Sequence, residues 1–201
     1  MIDSKPKQTH IMIKALKIIG IIIITLILIP FIMALFISKD FNFETSITIK
    51  APIDSVWTHT HTLVGLDSWS PWREMDPDMK TDAGGMDGEI GAWQSWESEV
   101  KDVGYGKQSI VNIEAPQLFE TYLEFYTPYE SKADGYVMLS TEDDMTIAKW
   151  GFKSVMPYPF NLMKLMYSEE DMKEPFDKGL AKLKALSETM MVIKETEDLA
   201  K

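Results

Sequence analysis

Few side chains in this sequence could act together as an acid and a base. The candidates that follow residue 40 are His59, His61, Asp67, Glu97 and Tyr122. Acid–base catalysis needs a donor and an acceptor that are held together in a site that excludes water. On a helix, His59 and His61 would point about 200° apart, so they cannot both serve one site. Each candidate also suits an ordinary surface position, and we assign no catalytic residue.

Other motifs for catalysis or metal binding are missing from the sequence. It contains no cysteine, which excludes disulfides, thiolate nucleophiles and cysteine-based zinc sites. It also contains no G-x-S-x-G, no G-x-x-x-x-G-K-[ST] and no H-E-x-x-H motif. The acidic segment 76–91 has Lys80 and Thr81 where an EF-hand needs an oxygen ligand and a glycine. We interpret it as a solvated loop, with an irregular calcium site as the alternative, and predict no metal and no cofactor.

The aromatic residues give a stronger signal than the acids and bases. Trp69 and Trp72 lie three residues apart, beside Arg73, the chain's only arginine. Such rings can close the end of a hydrophobic core, or cover an apolar ligand at the mouth of a pocket. The sequence leaves both interpretations open. The residues that we predict to line a hydrophobic pocket are Trp57, Trp69, Trp72, Trp96, Phe125, Trp150 and Phe152.

A long apolar segment precedes all of these residues. Residues 18–37 carry no charge, and as a helix they would span about 30 Å, the thickness of a bilayer's hydrocarbon core. The run is longer than the apolar core of a signal peptide and leads into Ser38 and Lys39 without an A-x-A-like cleavage site. We therefore predict an uncleaved transmembrane anchor. Four lysines lie in residues 1–17, which predicts a cytoplasmic N terminus and a C-terminal domain outside the cytoplasm.

The remaining chain is acidic and has the length of one domain. The sequence has 20 basic and 31 acidic residues, of which residues 1–40 hold five lysines and two aspartates, so the chain after residue 40 carries a net charge of about −14. A net negative surface repels phosphate backbones, which argues against a nucleic-acid partner. We predict a basic tail over 1–17, one domain over 41–190 and a polar tail over 191–201.

Periodicity predicts a domain of strands closed by a long helix. Alternating apolar residues over 41–50 indicate a strand, and helical spacing over 53–64 indicates a short amphipathic helix. Further strands, separated by turn residues, are predicted over 89–100, 107–114, 118–127, 133–141 and 145–155. A long helix with one apolar stripe follows, with Ser168 as its predicted N-cap.

Several short motifs resemble one known superfamily. They are Ala51-Pro52, Val56-Trp57, Trp69-Ser70-Pro71-Trp72, Pro77, Gly88-x-x-Gly91-Ala92 with Trp96, Trp150, and Gly179-Leu180-x-x-Leu183-Lys184. Their order over residues 41–190 resembles the SRPBCC superfamily, and in particular its bacterial polyketide cyclase/dehydrase-like branch, which includes members with one N-terminal membrane helix. The resemblance implies an α+β helix-grip (START-like) fold: a curved antiparallel sheet wrapped on a long C-terminal helix, with an apolar cavity between them.

The resemblance implies a function in which a hydrophobic molecule is held in that cavity. Our first hypothesis is a membrane-anchored binding module for a lipid- or polyketide-like small molecule. The alternatives are a cyclase- or dehydratase-type enzyme that acts in the same cavity, and an envelope domain that presents its acidic surface to a protein partner. Nothing in the sequence names such a partner.

Overall fold

The structure is a computed structural model that describes residues 5–127, 129–166 and 169–199. The chain comprises an N-terminal apolar helix followed by strands and helices. It divides into two units, residues 1–39 with 156–166, and residues 40–155 with 167–201. The first unit contains the apolar helix. The second contains the sheet and the C-terminal helix, and the two units are described in turn.

Helix α1, Lys5–Ala34, forms most of the first unit. Its part from Met12 to Ala34 is long and apolar enough to cross a membrane, a property that signal sequences share. The helix continues through Pro30, although proline removes one backbone hydrogen bond. The Thr25 hydroxyl donates to the Ile21 carbonyl at 2.8 Å, so this polar group is satisfied within the helix. The predicted N-terminal apolar helix is confirmed, although it begins before the apolar run over 18–37 and ends three residues before it does.

The first unit also contains residues 156–166, which pack against the C-terminal end of α1. Residues Phe160–Met166 form a 3₁₀ helix. Asn161 is fully buried, and its side-chain nitrogen donates to the carbonyls of Ala34 at 2.7 Å and Ile37 at 2.8 Å. The last carbonyls of a helix have no partner within the helix, so Asn161 satisfies groups that α1 leaves open.

Within the described residues, the second unit contains one seven-stranded antiparallel sheet with the order β1-β7-β6-β5-β4-β3-β2. The strands are β1 Asp40–Ile49, β2 Lys80–Gly84, β3 Trp93–Glu97, β4 Tyr105–Glu114, β5 Leu118–Thr127, β6 Ser131–Glu142 and β7 Met145–Val155. Strands β2 to β7 form a meander of sequential neighbours, and β1 pairs with β7. The predicted strands are confirmed, although β3 is shorter than the predicted run over 89–100.

Strand β2 lies in the segment that the sequence predicted to be a loop, so that prediction was wrong for residues 80–84. It pairs with β3 at the edge of the sheet, with Thr81 opposite Trp96 and Ala83 opposite Gln94. Its side chains are mostly exposed, so the strand carries no apolar alternation. Only its pairing with β3 reveals that it is a strand.

Three short helices connect β1 to β2: α2 Ile53–Trp57, α3 Leu63–Trp69 and α4 Pro71–Met75. The single helix predicted over 53–64 is therefore wrong beyond Trp57. Thr62 has extended backbone angles, and its hydroxyl accepts the Gly65 amide at 2.9 Å, so it caps the start of α3. Asp87 also accepts the amides of Leu63 at 2.7 Å and Val64 at 3.0 Å.

Helix α5, Glu169–Leu199, is the long C-terminal helix, and it continues through Pro175. It packs on β1 and β7, while α2 packs on β6 and β7. At Gly179 the helix approaches Trp150 so closely that an added Cβ would lie 2.6 Å from the indole ring, which explains the glycine. The buried core between helices and sheet contains Ile49, Val56, Leu63, Leu66, Trp69, Ala92, Ile110, Phe119, Val137, Leu139, Ala148, Leu180 and Leu183.

Candidate functional site

The structure brings four of the predicted pocket residues together in one aromatic cluster: Trp69, Trp72, Trp150 and Phe152. Trp150 lies at its centre. The Trp150 ring centroid is 4.6 Å from that of Trp69 and 5.6 Å from that of Trp72, both in edge-on geometry. Such arrangements are favourable because the positive edge of one ring meets the negative face of another.

Helix α5 completes this cluster with a residue that we did not include in the predicted site. The Phe176 ring centroid lies 4.3 Å from that of Trp150 and 5.9 Å from that of Phe152. Phe43 of β1, opposite Phe152 in the register, also contacts Phe176 at 5.0 Å. Phe176 was visible in the sequence only as one member of an apolar helical stripe. Trp69 and Phe176 are 0% and 4% exposed, whereas Trp72, Trp150 and Phe152 are half-buried. The ring contacts with Phe176 make the cluster part of the packing between α5 and the sheet.

Trp57 lies apart from that cluster. Its ring stacks on the imidazole of His61 with centroids 5.6 Å apart, and Nδ1 of His61 lies 2.7 Å from the Trp57 carbonyl oxygen. His59 is half-buried, and burial lowers the pKa of its imidazole. The two histidines therefore have separate environments, as the sequence predicted.

The remaining two predicted pocket residues, Trp96 and Phe125, form a second aromatic pair. Their ring centroids lie 5.9 Å apart in edge-on geometry, and Nε1 of Trp96 donates to the Val103 carbonyl at 3.1 Å. Both rings are only half-buried. Gly106 lies opposite both residues in the register, and the Trp96 ring occupies the space that a side chain at 106 would need.

These two rings belong to a surface that we call the inner face of β3–β5. Alternation along the strands places it on the same side of the sheet as the buried Ile110 and Phe119. The helices α5 and α2 pack on the other half of the sheet, on β1, β6 and β7. The inner face of β3–β5 consists of Gln94, Trp96, Gln108, Thr121, Leu123 and Phe125.

The inner face combines an apolar end with a polar end. Trp96, Leu123 and Phe125 form the apolar end, and all three are half-buried. At the polar end, Nε2 of Gln108 donates to the Thr121 hydroxyl at 2.8 Å. Ligand pockets usually have this composition, with mostly apolar walls and a few polar groups that fix orientation.

An open groove of about 290 Å³ adjoins the polar end. Val64, Asp67, Thr81, Asp82, Ala83 and Gln94 line it. Gln94 lies two residues from Trp96 on β3, so both side chains point to the same side of the sheet. Strand β3 therefore contributes both to the groove, through Gln94, and to the apolar end of the inner face, through Trp96.

Asp67 is the one acid–base candidate among the described residues that line this groove. Burial raises the pKa of its carboxyl group, against the lowering effects of Arg73, a hydrogen bond from Gln94 and the charge of Lys182. Nε of Arg73 lies 3.6 Å from the carboxylate. Of the other candidates, Glu97 forms an exposed ion pair with Lys80 at 3.5 Å.

The raised pKa of Asp67 predicts how a substitution changes stability with pH. The folded chain binds this proton more tightly than the unfolded chain, so stability falls as pH rises from the unfolded pKa through the folded pKa. We expect Asp67→Asn to remove this fall and to unfold at an equal or higher denaturant concentration at pH 7. Denaturant unfolding of the wild type and the variant at pH 3.5, 5 and 7 measures how the stability of each depends on pH. A variant that is less stable by the same amount at every pH would contradict the assignment.

Metal binding has no support in the part of the chain that the structure describes. No group of three histidine, aspartate or glutamate side chains there is placed to hold an ion. Tyr122, the last acid–base candidate, carries Lys132 above its ring, with Nζ 5.8 Å from the centroid.

Comparison with known proteins identifies the fold. No family model matches the chain, and no curated protein matches its sequence. Among solved structures, Ara h 8.0201 superposes with a TM-score of 0.52 at 14% identity, covering 76% of this chain and 99% of its own. The second unit has a START-like helix-grip fold. This confirms the predicted fold class, and the resemblance to the SRPBCC superfamily holds at the level of fold.

Two further structures share the helix-grip fold. The di-domain ARO/CYC StfQ from the steffimycin biosynthetic pathway has a TM-score of 0.57 at 10% identity, over 76% of this chain and 52% of StfQ. Protein MLL2253 from Mesorhizobium loti has a TM-score of 0.54 at 12% identity, over 74% of this chain and 98% of its own. At these identities the comparison shows the fold, and the function must be argued from the site.

Proposed function

We propose that this chain is a membrane-anchored binding module that holds a lipid- or polyketide-like small molecule against the inner face of β3–β5. The observation that carries the proposal is the half-buried apolar surface of Trp96, Leu123 and Phe125, on the side of the sheet that elsewhere forms the core. A ligand that covers these side chains would remove apolar area from water, which is the main driving force for such binding.

The adjoining groove supports a ligand with one polar end. Asp67 and Gln94 line the groove, and Gln94 lies opposite Gln108, which donates to the Thr121 hydroxyl. Backbone and side-chain groups of this kind orient a ligand while the apolar surface supplies most of the affinity. The structural neighbour StfQ comes from the steffimycin biosynthetic pathway, and our proposal assigns this chain a small-molecule ligand of its own.

The apolar helix α1 completes the proposal. We propose that Met12–Ala34 spans a membrane, with the lysine-rich N terminus in the cytoplasm and the helix-grip domain outside. Hydrophobic molecules concentrate in bilayers, so an anchored module would meet its ligand at the membrane.

Native mass spectrometry of the full chain tests this function. The protein would be released from its own membranes in mild detergent, and the bound material would then be extracted with organic solvent. We expect a stoichiometric adduct of one apolar molecule. A chain that carries no adduct, and takes none up when incubated with a total lipid extract, would contradict the binding function.

An acid–base enzyme is the second candidate, and one observation favours it. Asp67 combines a raised pKa with a position in the groove, and both are typical of catalytic acids. If the extracted molecule differs chemically between the wild type and Asp67→Asn, Asp67 takes part in a chemical conversion of the ligand. An unchanged molecule in both proteins would support binding alone.

A further inference from the structure

Large apolar side chains are exposed beside the C-terminal end of α1, beyond the helix itself. Leu35 and Phe36, which follow the helix, are 69% and 86% exposed. In the 3₁₀ helix, Phe160, Leu165 and Met166 are 63%, 65% and 82% exposed. Extended apolar patches of this kind are rare on proteins surrounded by water and usually mark a contact with a partner or a membrane.

This segment is held firmly against the end of α1. The fully buried Asn161 donates to the carbonyls of Ala34 and Ile37. The Met156 amide donates to the Lys39 carbonyl at 2.8 Å, and the rings of Phe31 and Tyr158 lie 6.4 Å apart. The 3₁₀ helix therefore has a fixed place at the end of the apolar helix.

The composition of the segment matches the boundary between lipid tails and head groups. Tyrosine and tryptophan prefer this boundary, and phenylalanine and leucine side chains insert on its apolar side. The segment supplies Tyr158 and Phe160, and Nζ of Lys164 donates to the Ser38 carbonyl at 3.2 Å, which ties the segment to the residues that follow α1. Its contacts with Ala34 and Ile37 place it where the apolar run of α1 ends.

We propose that residues 156–166 form a second membrane contact, an interfacial element that inserts its apolar side chains into the lipid surface around the end of α1. The proposal rests on the proposed membrane span. Lipid is the occupant because the exposed apolar side chains of the segment lie beside the end of α1, whose own side chains from Met12 to Met33 are nearly all exposed. Asn161 couples the two, because it donates to Ala34, the last residue of the helix, and to Ile37 just after it.

Nitroxide depth measurements on the full chain in phosphatidylcholine–phosphatidylglycerol liposomes test this proposal. The sequence has no cysteine, so each single-cysteine variant carries one label at a known place. The test variants are Phe160→Cys and Leu165→Cys, both at exposed positions. Ile24→Cys within α1 is the control for the bilayer interior, and Lys101→Cys, exposed between β3 and β4, is the control for water.

We expect labels at 160 and 165 to collide with oxygen more often than with a water-soluble nickel chelate, at a depth between the two controls. Labels at 160 and 165 that behave like the label at 101, while the label at 24 is buried in lipid, would overturn this proposal alone. A label at 24 that behaves like the label at 101 would overturn the membrane span as well. Shielding of 160 and 165 from both reagents would show a protein contact and would also overturn it.

A second variant tests the role of Asn161. Asn161→Asp keeps the shape of the side chain but removes the donor to two carbonyls. Combined with Phe160→Cys, it is expected to raise collisions of the label with the nickel chelate at least threefold, because the segment loses its tie to α1. Unchanged collisions would show that Asn161 does not hold the segment in the lipid surface.

Discussion

Replacing Trp150 by alanine is expected to lower the free energy of unfolding of the helix-grip domain by about 3 kcal/mol, the lower end of the range measured for buried aromatic residues, because its ring is half-buried. Trp150 joins the sheet to α5, since its ring contacts Trp69 at 4.6 Å and Phe176 at 4.3 Å. The truncation would leave a cavity at the contact between the two layers. Denaturant unfolding of the full chain in detergent, followed by near-ultraviolet circular dichroism, measures the change.

Tyr126→Ala is the matched control for this experiment. Tyr126 is 38% exposed on β5, and its ring contacts Tyr105 at 4.8 Å. Its loss is expected to cost less than about 1 kcal/mol. A cost for Trp150→Ala as small as that of the control would mean that the aromatic cluster is not part of the core. Its rings would then be available to line a ligand pocket, as the sequence suggested.

The aromatic residues show how far the sequence could predict the site. Their types and strand positions were readable, because alternation placed Trp150 with Phe152 on one face of the last strand. Their division into a packed cluster and an open pair was not readable. It depends on α5 packing over β1 and β7, a contact between segments more than 100 residues apart in the case of β1 and α5. Trp150 and Trp96 therefore look alike in sequence and differ in the fold.

The polar segments show the same limit. Except for β3, the predicted strands agree with the structure to within two residues at each end. Strand β2 is a polar edge strand that only its pairing with β3 reveals. Asp87 looked like one more acid in a loop, yet its carboxylate binds the first amides of α3, 23 and 24 residues earlier in the chain. Asn161 gave no signal at all. Each of these roles arises from a partner distant in sequence, which local patterns do not contain.

Removing the Trp96 ring is expected to reduce ligand binding at least tenfold. Burial of a large apolar side chain contributes about 1.5–3 kcal/mol, and each 1.4 kcal/mol corresponds to about a factor of ten in affinity. The Trp96 ring lies over Gly106 and against Phe125, at the centre of the apolar end of the inner face. In native mass spectra, a smaller fraction of Trp96→Ala than of the wild type should carry the co-purified molecule. Phe125→Ala should show the same decrease.

Trp93→Ala is the control that separates binding from general damage. Trp93 is a half-buried tryptophan of the same short strand, but an odd number of positions away, so its ring points to the opposite face, beneath Nζ of Lys107 at 4.4 Å. Its removal should leave the adduct in place. Equal loss of the adduct in both variants would mean that β3 matters only for folding. The ligand is assigned to the inner face of β3–β5 if Trp96→Ala loses the adduct and Trp93→Ala keeps it. The cluster at α5 is assigned to the core if Trp150→Ala, under conditions where it is folded, still carries the adduct.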